Sequence, residues 1–392
     1  MNILFVANRF PFPPHRGDKL KIYNLTRRLA KTHTLYLVTF YEKRDELNYL
    51  SDISPYFKEI ELVYLPQWKS IFNCIPALLS TTPLQLAYFR SNAMHRMVKK
   101  VINHFSIDVV HTQHLRMSQY TKDLNVPKIL DLPDAFSLYF KRRSETERPW
   151  INRLIDRIEI KRLAKAEQVI KKFDQVLVCS VEDKTYLQKL HQVDHIDILL
   201  NGVDLETFDC YEGHDYTLAN TLLFTGNMDY APNVDAVTYF VKEMWPQILK
   251  INPNTKFIIA GQRPIESVKK LESNSIKVTG FVEDISDLYR KSTILIAPLR
   301  FGAGTQNKVL EAMAMGVPVV CTHIGFEGLQ INNGDGVYME KGKHEFITRV
   351  NELLRDQDLR TRVGKKGLNI AHKRFSWDSI AHQLNQYIKA IK

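Results

Sequence analysis

Short apolar runs alternate with longer amphipathic stretches along most of the chain. In the first half we predict strands from the apolar runs at 2–8, 34–40, 60–65, 108–113, 128–132 and 175–180. Stretches with helical periodicity stand between them at 21–32, 94–105 and 181–190. Such alternation of strand and helix is typical of βαβ units built around a parallel sheet.

The same pattern begins again near residue 220. Predicted strands cover 220–228, 255–261, 276–281, 293–299 and 317–322, with helices at 234–251, 284–292 and from about 305. The polar, turn-rich segment 199–217 is typical of an interdomain linker. We therefore predict an α/β protein with doubly wound domains at 1–198 and 199–374, followed by an amphipathic helix at 375–392. Ligands bind such sheets at the carboxyl ends of the strands, in a cleft between the two domains.

Composition and charge add a prediction about partners. With 25% charged and 44% apolar residues, the chain is globular rather than disordered. Its formal net charge of +11 favours anionic partners such as nucleotides, phosphates or an acidic membrane face. The four cysteines show neither CxxC pairs nor neighbouring histidines at metal-ligand spacing, so we predict reduced thiols in a cytosolic protein. The start MNILFVAN lacks a basic segment and is predicted as a first strand, not a signal peptide.

Two further segments concern the surface of the first half. Residues 70–89 carry no charge, but Pro76 and Pro83 argue against a membrane-spanning helix. This leaves either a core segment or an apolar interfacial surface. Residues 141–172 hold eleven Lys or Arg against five Asp or Glu, with apolar residues at helical spacing. Such a helix either lies on an anionic membrane or presents a solvated face. It lacks the interleaved aromatics of a nucleic-acid site, so no nucleic-acid partner is predicted.

The stretch FGAGTQNKVLEAMAMGVPVV, at 301–320, is the strongest candidate for chemistry. Gly302 and Gly304 allow backbone N–H groups to approach a ligand closely, and the following helix begins at about Thr305 to Lys308. The helix dipole contributes only about 0.3–1 kcal/mol, whereas a charge-assisted hydrogen bond from Lys308 adds about 1.5–3 kcal/mol. Glu311 lies one turn later on the same side and accepts hydrogen bonds only, which suits a ribose diol. The pattern favours a nucleotide-sugar.

Two common nucleotide-binding motifs do not fit this stretch. A dinucleotide fingerprint needs glycine where the chain has Asn307, and no P-loop spacing occurs in the sequence. The residues alone leave one alternative open, in which Lys308 and Glu311 form a surface pair after a glycine-rich turn.

Several motifs together resemble a known family. The segments GTQNKVLEAMAMGVPVV, LLNGVDLETF and LLFTGN resemble the retaining glycosyltransferases of family 4, which have the GT-B fold. PFPPHRGDKLKIYNLTRRLA, TPLQLAYFRS and DLPDAFS are similar to sugar transferases that accompany exosortase (PEP-CTERM) exopolysaccharide systems. The resemblance implies an acceptor-binding first domain, a donor-binding second domain and a final helix that crosses back onto the first. It also implies transfer with retention of anomeric configuration and without an obligatory metal or other cofactor.

The resemblance also implies roles for individual residues. Glu311 would hold the ribose, and the backbone around Gln306 would hold the diphosphate. The other implied donor-site positions are Gly17, Asn201, Gly202, Val203, Gly226, Gly304 and Thr305. Three of the family's charged groups are missing: the chain has Ala303 where the family has a glutamate, Asn227 where it has an arginine, and no lysine between Asn227 and Lys242 where the family has one. Lys308 and Arg263 are the candidates to supply the positive charge, with a solvated loop arginine as the alternative for Arg263.

Candidates for the acceptor side follow strands of the first half. Many relatives carry a histidine after the strand matching 128–132, where this chain has Pro133 between Asp131 and Asp134. These carboxylates are predicted either to bind sugar hydroxyls or to take the acceptor proton, which typically contributes 10²–10⁴-fold. The alternative for Asp134 is a helix cap. His111 is either an acceptor-site residue or a buried, hydrogen-bonded histidine.

The predicted function is sugar transfer from a UDP-, GDP-, ADP- or dTDP-linked donor to a glycan or lipid-linked acceptor in cell-surface polysaccharide biosynthesis. We expect a cytoplasmic location, with the inner membrane face as a candidate surface. A nucleotide-sugar epimerase or hydrolase of the same fold, and a non-catalytic nucleotide-sugar-binding module, remain the alternatives.

Overall fold

The computed structural model describes residues 1–14, 16–146, 149–210, 213–302 and 304–392. The chain divides into two compact units, the first made of Met1–Leu200 with Ile380–Lys392, and the second of Asn201–Ser379. Each unit is an α/β layer structure with its own sheet and its own cores.

The sheet of the first unit has seven parallel strands in the order β3-β2-β1-β4-β5-β6-β7. The strands are β1 (Asn2–Ala7), β2 (Thr34–Tyr41), β3 (Glu59–Tyr64), β4 (Val109–Gln113), β5 (Lys128–Leu132), β6 (Gln175–Val178) and β7 (Ile196–Ile198). The central strands β1 and β4 are almost completely buried because helices cover both faces of a parallel sheet.

The helices of the first unit precede and follow these strands. They are α1 (Gly17–Leu29), α2 (Leu50–Ile53), α3 (Gln67–Leu78), α4 (Leu84–Tyr88), α5 (Asn92–His104), α6 (Ser118–Thr121), α7 (Phe136–Ser144), α8 (Trp150–Glu167) and α9 (Val181–His191). Short 3-10 turns lie at Arg44–Tyr49, Ser54–Tyr56, Leu115–Met117 and Gln168–Lys172.

The second unit has six parallel strands in the order β10-β9-β8-β11-β12-β13. They are β8 (Thr221–Thr225), β9 (Lys256–Ala260), β10 (Ile276–Gly280), β11 (Ile294–Ala297), β12 (Val319–Cys321) and β13 (Val337–Met339). Its helices are α10 (Ala231–Glu243), α11 (Trp245–Ile251), α12 (Glu266–Lys269), α13 (Ile285–Arg290), α14 (Asn307–Ala314), α15 (His323–Phe326), α16 (Lys343–Arg355) and α17 (Gln357–Arg374).

The last helix, α18, covers Trp377–Ala390, and its residues from Ile380 onward belong to the first unit. Gln383 and Tyr387 donate hydrogen bonds to the carbonyl of Ile198, at 3.0 and 3.2 Å. These bonds use a backbone acceptor at the end of β7, the edge strand.

Two sequence predictions need correction in detail. The single helix predicted at 234–251 is two helices, α10 and α11, because Pro246 lies in the first turn of α11 and cannot continue a preceding helix. The uncharged segment 70–89 is only partly core: most large apolar side chains of α3 are exposed, whereas Ala87 in α4 and Phe89 just after it are buried. The apolar surface is therefore observed on α3, and the core alternative holds for the residues around α4. Within the described residues, every helix falls short of the length and hydropathy needed to cross a bilayer.

Each sheet reverses its strand order at one position. The order changes direction between β1 and β4 in the first unit, and between β8 and β11 in the second. Loops leaving such neighbouring strands run to opposite faces of the sheet and leave a crevice at the carboxyl edge. These two crevices are where a ligand is expected in each unit.

Candidate functional site

The crevice of the second unit lies between the loops that follow β8 and β11. The β8 loop begins at Gly226, whose N–H donates to the carbonyl of Ala260 at 3.0 Å. A Cβ on Gly261 would lie 1.8 Å from the carbonyl oxygen of Gly226, so the β8 and β9 loops touch through their backbones. Only glycine permits that approach.

Lys308 extends from the first turn of α14 into this crevice. Its Nζ donates to the amide oxygen of Asn233 at 3.0 Å and lies 4.8 Å from the ring centre of Phe224. Among the described residues, no carboxylate lies within 4 Å of this nitrogen. Burial lowers the pKa of Lys308 to about 8, although the charge of Glu311 opposes the shift. A buried ammonium with only neutral contacts is suited to receive an anion.

Glu311 is held on one side and open on the other. The hydroxyl of Tyr289 donates to its Oε2 at 2.7 Å, and the same hydroxyl lies 2.8 Å from Oγ1 of Thr225. Among the described residues its second oxygen, Oε1, has no hydrogen-bond donor. Burial raises the pKa of Glu311, while Tyr289 and Lys308 favour its ionised form. The carboxylate is therefore oriented by one hydroxyl and has acceptor capacity left for another.

The helix that carries both side chains begins at Asn307, within the predicted range of about Thr305 to Lys308. Gln306 is the residue before α14, and its carbonyl accepts from Val309 N at 2.9 Å. The first N–H groups of a helix have no acceptor inside it, so those of α14 are oriented toward the crevice end of the loop. Gly304 in that loop has a φ of 67°, a left-handed conformation that favours glycine. Thr305 is buried beside it.

Other predicted donor-site residues have partners within the second unit. The amide of Asn201 donates to Asn307 at 3.2 Å, which joins the linker to the start of α14. Asn227 accepts from the amide of Gln262 at 2.8 Å and lies next to Gly226 in the crevice. A Cβ on Gly202 would lie 2.5 Å from the ring of Trp377, so this glycine accommodates the indole.

Arg263, Gly17 and Gly302 lie in three different parts of the structure. The Arg263 guanidinium is mostly exposed and lies 3.4 Å from Asp229, so a carboxylate already neutralises it. Gly17 is the first residue of α1 in the first unit, where it is exposed. Gly302 lies at the end of the β11 loop, whereas Ala303 is outside the described residues.

In the first unit, Asp131 has a different environment from the predicted one. Its Oδ1 accepts from the ammonium of Lys21 at 2.7 Å, and its Oδ2 lies 3.5 Å from Nε2 of His111. All three side chains are buried. Burial alone would raise the pKa of Asp131, but Lys21 and His111 outweigh it and hold that pKa below its usual value. Asp131 and His111 therefore form a buried charged cluster with Lys21, beneath the carboxyl edge rather than on it.

Asp134 is the predicted carboxylate that reaches the surface of this edge. It follows β5, is partly exposed, and makes no hydrogen bond among the described residues. Burial and the nearby charge of Asp183 raise the pKa of Asp134 to about 7, against the effect of Arg116. The helix-cap alternative is not observed, because Ala135, the residue before α7, has its N–H bonded to Asp183 at 3.1 Å. Asp134 is thus a carboxyl group that exchanges a proton near neutral pH.

The crevice of the first unit also holds residues that the sequence analysis missed. His114, directly after β4, has a φ of 80°, and its buried Nδ1 has no partner among the described residues. Arg116 stacks on Phe89 and Phe136 and donates to Gln85, and burial and the charge of Arg9 lower its pKa to about 10. Strained backbone and an unmatched polar atom are typical of ligand sites. The positions of His114 and Arg116, one and three residues after β4, were the available signal.

The missed residues of the second unit are Asn233 and Tyr289. Asn233 holds Lys308, and Tyr289 orients Glu311, from positions far away in the sequence. No local motif marks either residue. Only their location on α10 and α13, which flank β8 and β11, brings them to the crevice.

Comparisons with known proteins identify related sequences and folds. Residues 219–356 match the family model described as Glycosyl transferases group 1. This match contains the β8 loop, α13 and α14, and therefore every contact of Lys308 and Glu311 given above. Over residues 219–356 the chain is similar to the group 1 glycosyltransferases, and this similarity supports a glycosyltransferase enzyme.

The chain is also similar to individual proteins. It is 24% identical over 348 residues to an uncharacterized 44.6 kDa protein in the cps region of Klebsiella pneumoniae, covering 85% of this chain and 86% of the relative. Over 115 residues it is 29% identical to the capsular polysaccharide biosynthesis glycosyltransferase CapM of Staphylococcus aureus, covering 28% of this chain and 30% of CapM.

Its fold is that of known GT-B proteins. The structure of Anabaena Alr3699/HepE in complex with UDP-glucose superposes with a TM-score of 0.65 at 14% identity, covering the whole of both chains. At that identity the likeness concerns the fold alone. The predicted α/β fold with two parallel sheets is confirmed.

Proposed function

We propose that this glycosyltransferase moves a sugar from a nucleotide-diphosphate donor to a hydroxyl of a glycan or lipid-linked acceptor, with retention of anomeric configuration. The observation that carries the proposal is the buried Lys308 ammonium with neutral contacts only, one helical turn from the half-open Glu311 carboxylate. A nucleotide-sugar needs a cation for its diphosphate and a hydrogen-bond acceptor for its ribose diol, and Lys308 and Glu311 supply these two groups. The structure of Alr3699/HepE with UDP-glucose makes UDP the first nucleotide to test.

The biological context is proposed from the relatives. CapM is named for capsular polysaccharide biosynthesis, and the Klebsiella relative is a protein of the cps region. We therefore place this enzyme in the biosynthesis of a cell-surface polysaccharide.

The diphosphate is proposed to lie against the N-terminus of α14. Lys308 and the N–H groups around Thr305 and Gln306 bind the leaving phosphates, on which charge increases as the glycosidic bond breaks. Contacts that strengthen in this way lower the barrier rather than only the dissociation constant. Glu311 Oε1 accepts from the ribose hydroxyls, while Tyr289 keeps Oε2 in place.

In the transfer step, the acceptor oxygen forms a bond to the anomeric carbon while the bond from that carbon to the phosphate oxygen breaks. The proton of the acceptor hydroxyl passes to the leaving phosphate on the same face of the sugar, so the configuration is retained. We assign Asp134 the role of accepting a hydrogen bond from an acceptor hydroxyl, since it has no protein donor among the described residues.

A thermal-shift panel of UDP, GDP, ADP and dTDP tests donor binding. A nucleotide at about 100 times its dissociation constant stabilises the folded chain by about 2.7 kcal/mol. Glu311→Ala removes a charge-assisted contact of about 1.5–3 kcal/mol, so we expect the stabilisation at the same concentration to fall to about 0.3–1.3 kcal/mol. Glu272→Ala, which removes an exposed carboxylate of the same unit, is the matched control and should keep the full shift. An equal shift in both variants would place the ribose elsewhere.

The reaction type is tested by incubating the enzyme with donor alone and then with acceptor. A transferase consumes donor rapidly only when acceptor is present. Complete epimerisation or hydrolysis without acceptor would favour the epimerase or hydrolase, and binding without turnover on any acceptor would favour a non-catalytic module. The anomeric proton coupling of the product, measured by NMR, decides between retention and inversion.

We also propose that the reaction needs no metal, because Lys308 and the helix N-terminus supply the positive charge that a divalent cation supplies elsewhere. Adding EDTA should therefore leave the initial rate within about twofold of the untreated enzyme. A rate that EDTA abolishes and Mg²⁺ or Mn²⁺ restores would contradict this proposal.

A further inference from the structure

Helix α3 presents an unusually apolar face to solvent. Its outward-facing residues are between 55 and 97% exposed to solvent. These residues are Trp68, Ile71, Phe72, Ile75, Leu78 and the adjoining Leu79. Their spacing of three and four places them on one side of the helix. α3 contains no acidic residue, and its only charged residue is Lys69.

Helix α8 adds a second apolar row. Its outward apolar residues are 45–68% exposed and are Trp150, Ile151, Leu154, Ile155 and Ile158. The two helices touch, because Arg162 of α8 donates to the carbonyl of Leu78 at 3.1 Å. Glu159 of α8 accepts from the N–H of Leu84, just beyond α3, at 3.0 Å. We call these eleven residues together the apolar platform.

On α8, beside the platform, the acidic side chains are buried and a row of basic side chains is exposed. The three acidic residues of α8 are all buried: Asp156 pairs with Arg143, Glu159 with Arg162, and Glu167 accepts from Ser137. Four basic residues are exposed at intervals of four, which makes one ridge along the helix. They are Arg153, Arg157, Lys161 and Lys165. The outward surface of α8 is therefore apolar and basic, without a carboxylate.

We propose that the apolar platform and its basic ridge bind the anionic surface of a lipid bilayer. Monomers rarely expose apolar patches of this size without a binding role. Trp side chains favour the interface between headgroups and acyl chains, and each Lys or Arg near an anionic surface strengthens binding. The α3–α8 surface thus lies on the membrane without crossing it. This inference goes beyond the proposed function, because it uses neither the donor site nor the reaction.

A second copy of the chain fits this surface less well than a bilayer does. In a symmetric dimer the same patch meets itself, so the platform would bring two basic ridges together. The ridge has no exposed carboxylate on α8 to pair with across such an interface. A bilayer containing anionic lipid supplies the opposite charge and the apolar layer at once.

Flotation of the full chain with extruded vesicles tests the proposal. We expect binding to phosphatidylcholine vesicles that contain phosphatidylglycerol, and much weaker binding to pure phosphatidylcholine. Changing Arg153, Arg157 and Lys161 to Gln should lower the partition coefficient about 100-fold, at about fivefold per charge. The matched control neutralises Lys270, Lys277 and Lys365, three exposed lysines of the second unit, and should bind like the parent.

The apolar contribution needs its own pair of variants. Phe72→Ser with Ile75→Ser should abolish flotation, whereas Phe281→Ser, which removes a side chain of similar exposure in the second unit, should not. The UDP thermal shift should be unchanged in all these variants, because donor binding uses other residues. If UDP gives no thermal shift in the parent but the parent still floats with vesicles, the proposed function is refuted and the proposed membrane surface stands.

Tryptophan emission gives an independent readout. Trp68 and Trp150 are exposed, whereas Trp245 and Trp377 are buried, so a blue shift on adding anionic vesicles comes from the platform. Phe at both exposed positions should remove the shift. Equal binding of the parent and the platform variants would overturn the proposal. So would sedimentation velocity that shows a dimer disrupted by Phe72→Ser together with an absence of vesicle binding.

Discussion

Replacing Lys308 with methionine should lower kcat/KM by roughly 10²–10³-fold, the usual cost of removing one preorganised donor from a leaving group. Methionine fills a similar volume but carries no charge, and Asn233 and Phe224 offer no other cation to the diphosphate. Steady-state kinetics with saturating acceptor measures the effect. Lys242→Met, at an exposed lysine of the same unit, is the matched control and should retain the parent rate.

The pH dependence gives the prediction about Lys308 a second test. Burial lowers the pKa of Lys308 from 10.5 to about 8, so the free enzyme loses its ammonium above that pH and kcat/KM should fall there. A bound diphosphate favours the ammonium, and the corresponding decline in kcat should therefore occur at higher pH. In Lys308→Arg the alkaline decline of kcat/KM should disappear, because arginine stays charged.

The unfolding free energy of the parent should rise with pH as Lys308 loses its proton, whereas kcat/KM should fall. Below about pH 8 the folded chain carries a buried ammonium, and this costs free energy relative to the unfolded chain. Between about pH 8 and 10.5 the folded form is neutral while the unfolded form is still protonated, so the cost fades. The unfolding free energy of Lys308→Met relative to the parent should therefore fall by about 3 kcal/mol as pH rises through this window. A difference that does not vary with pH would show that Lys308 is not buried as a cation.

Asp134→Asn should raise the KM for acceptor and lower kcat/KM about 10–100-fold, as expected when a charge-assisted hydrogen bond of about 1.5–3 kcal/mol is lost. Donor binding should be unchanged, because the UDP thermal shift reports on the second unit. An ionised carboxylate accepts a hydrogen bond well, and a protonated carboxylic acid accepts one poorly. The KM of the parent for the acceptor sugar should therefore decrease as pH rises through about 7. This dependence should be absent in the Asn variant.

Stability distinguishes Asp134 from an ordinary surface carboxylate. Its folded-state pKa, about 7, is above the usual value of 3.8, so the charged folded form is disfavoured above pH 7. Asp134→Asn should therefore stabilise the chain at pH 8 and lose that advantage toward pH 4. Asp358→Asn, in the second unit, is the control. A loss confined to kcat would instead mean that Asp134 takes the acceptor proton, and an unchanged acceptor KM would refute its assignment to acceptor binding.

The sequence by itself determined the fold class and the position of the proposed donor site. Apolar runs of four to eight residues separated by amphipathic stretches require a parallel sheet covered on both faces, and two such sheets are observed. The cluster from Gly302 to Glu311 was visible because its members are close along the chain. One helical turn is enough to place Lys308 and Glu311 on one side of α14, whatever surrounds them.

Only the tertiary structure decided which partners these groups have. Lys308 meets Asn233 from 75 positions away, Tyr289 reaches Glu311 across 22, and Lys21 neutralises Asp131 across 110. The order of strands in each sheet brings these residues together, and local spacing carries no information about that order. The same holds for α3: its apolar sequence suits a core or a surface equally, and only the packing of neighbouring elements left that face exposed. Burial and ion pairing depend on contacts between residues distant in the sequence, so the sequence marked candidate residues but could not predict their charge states.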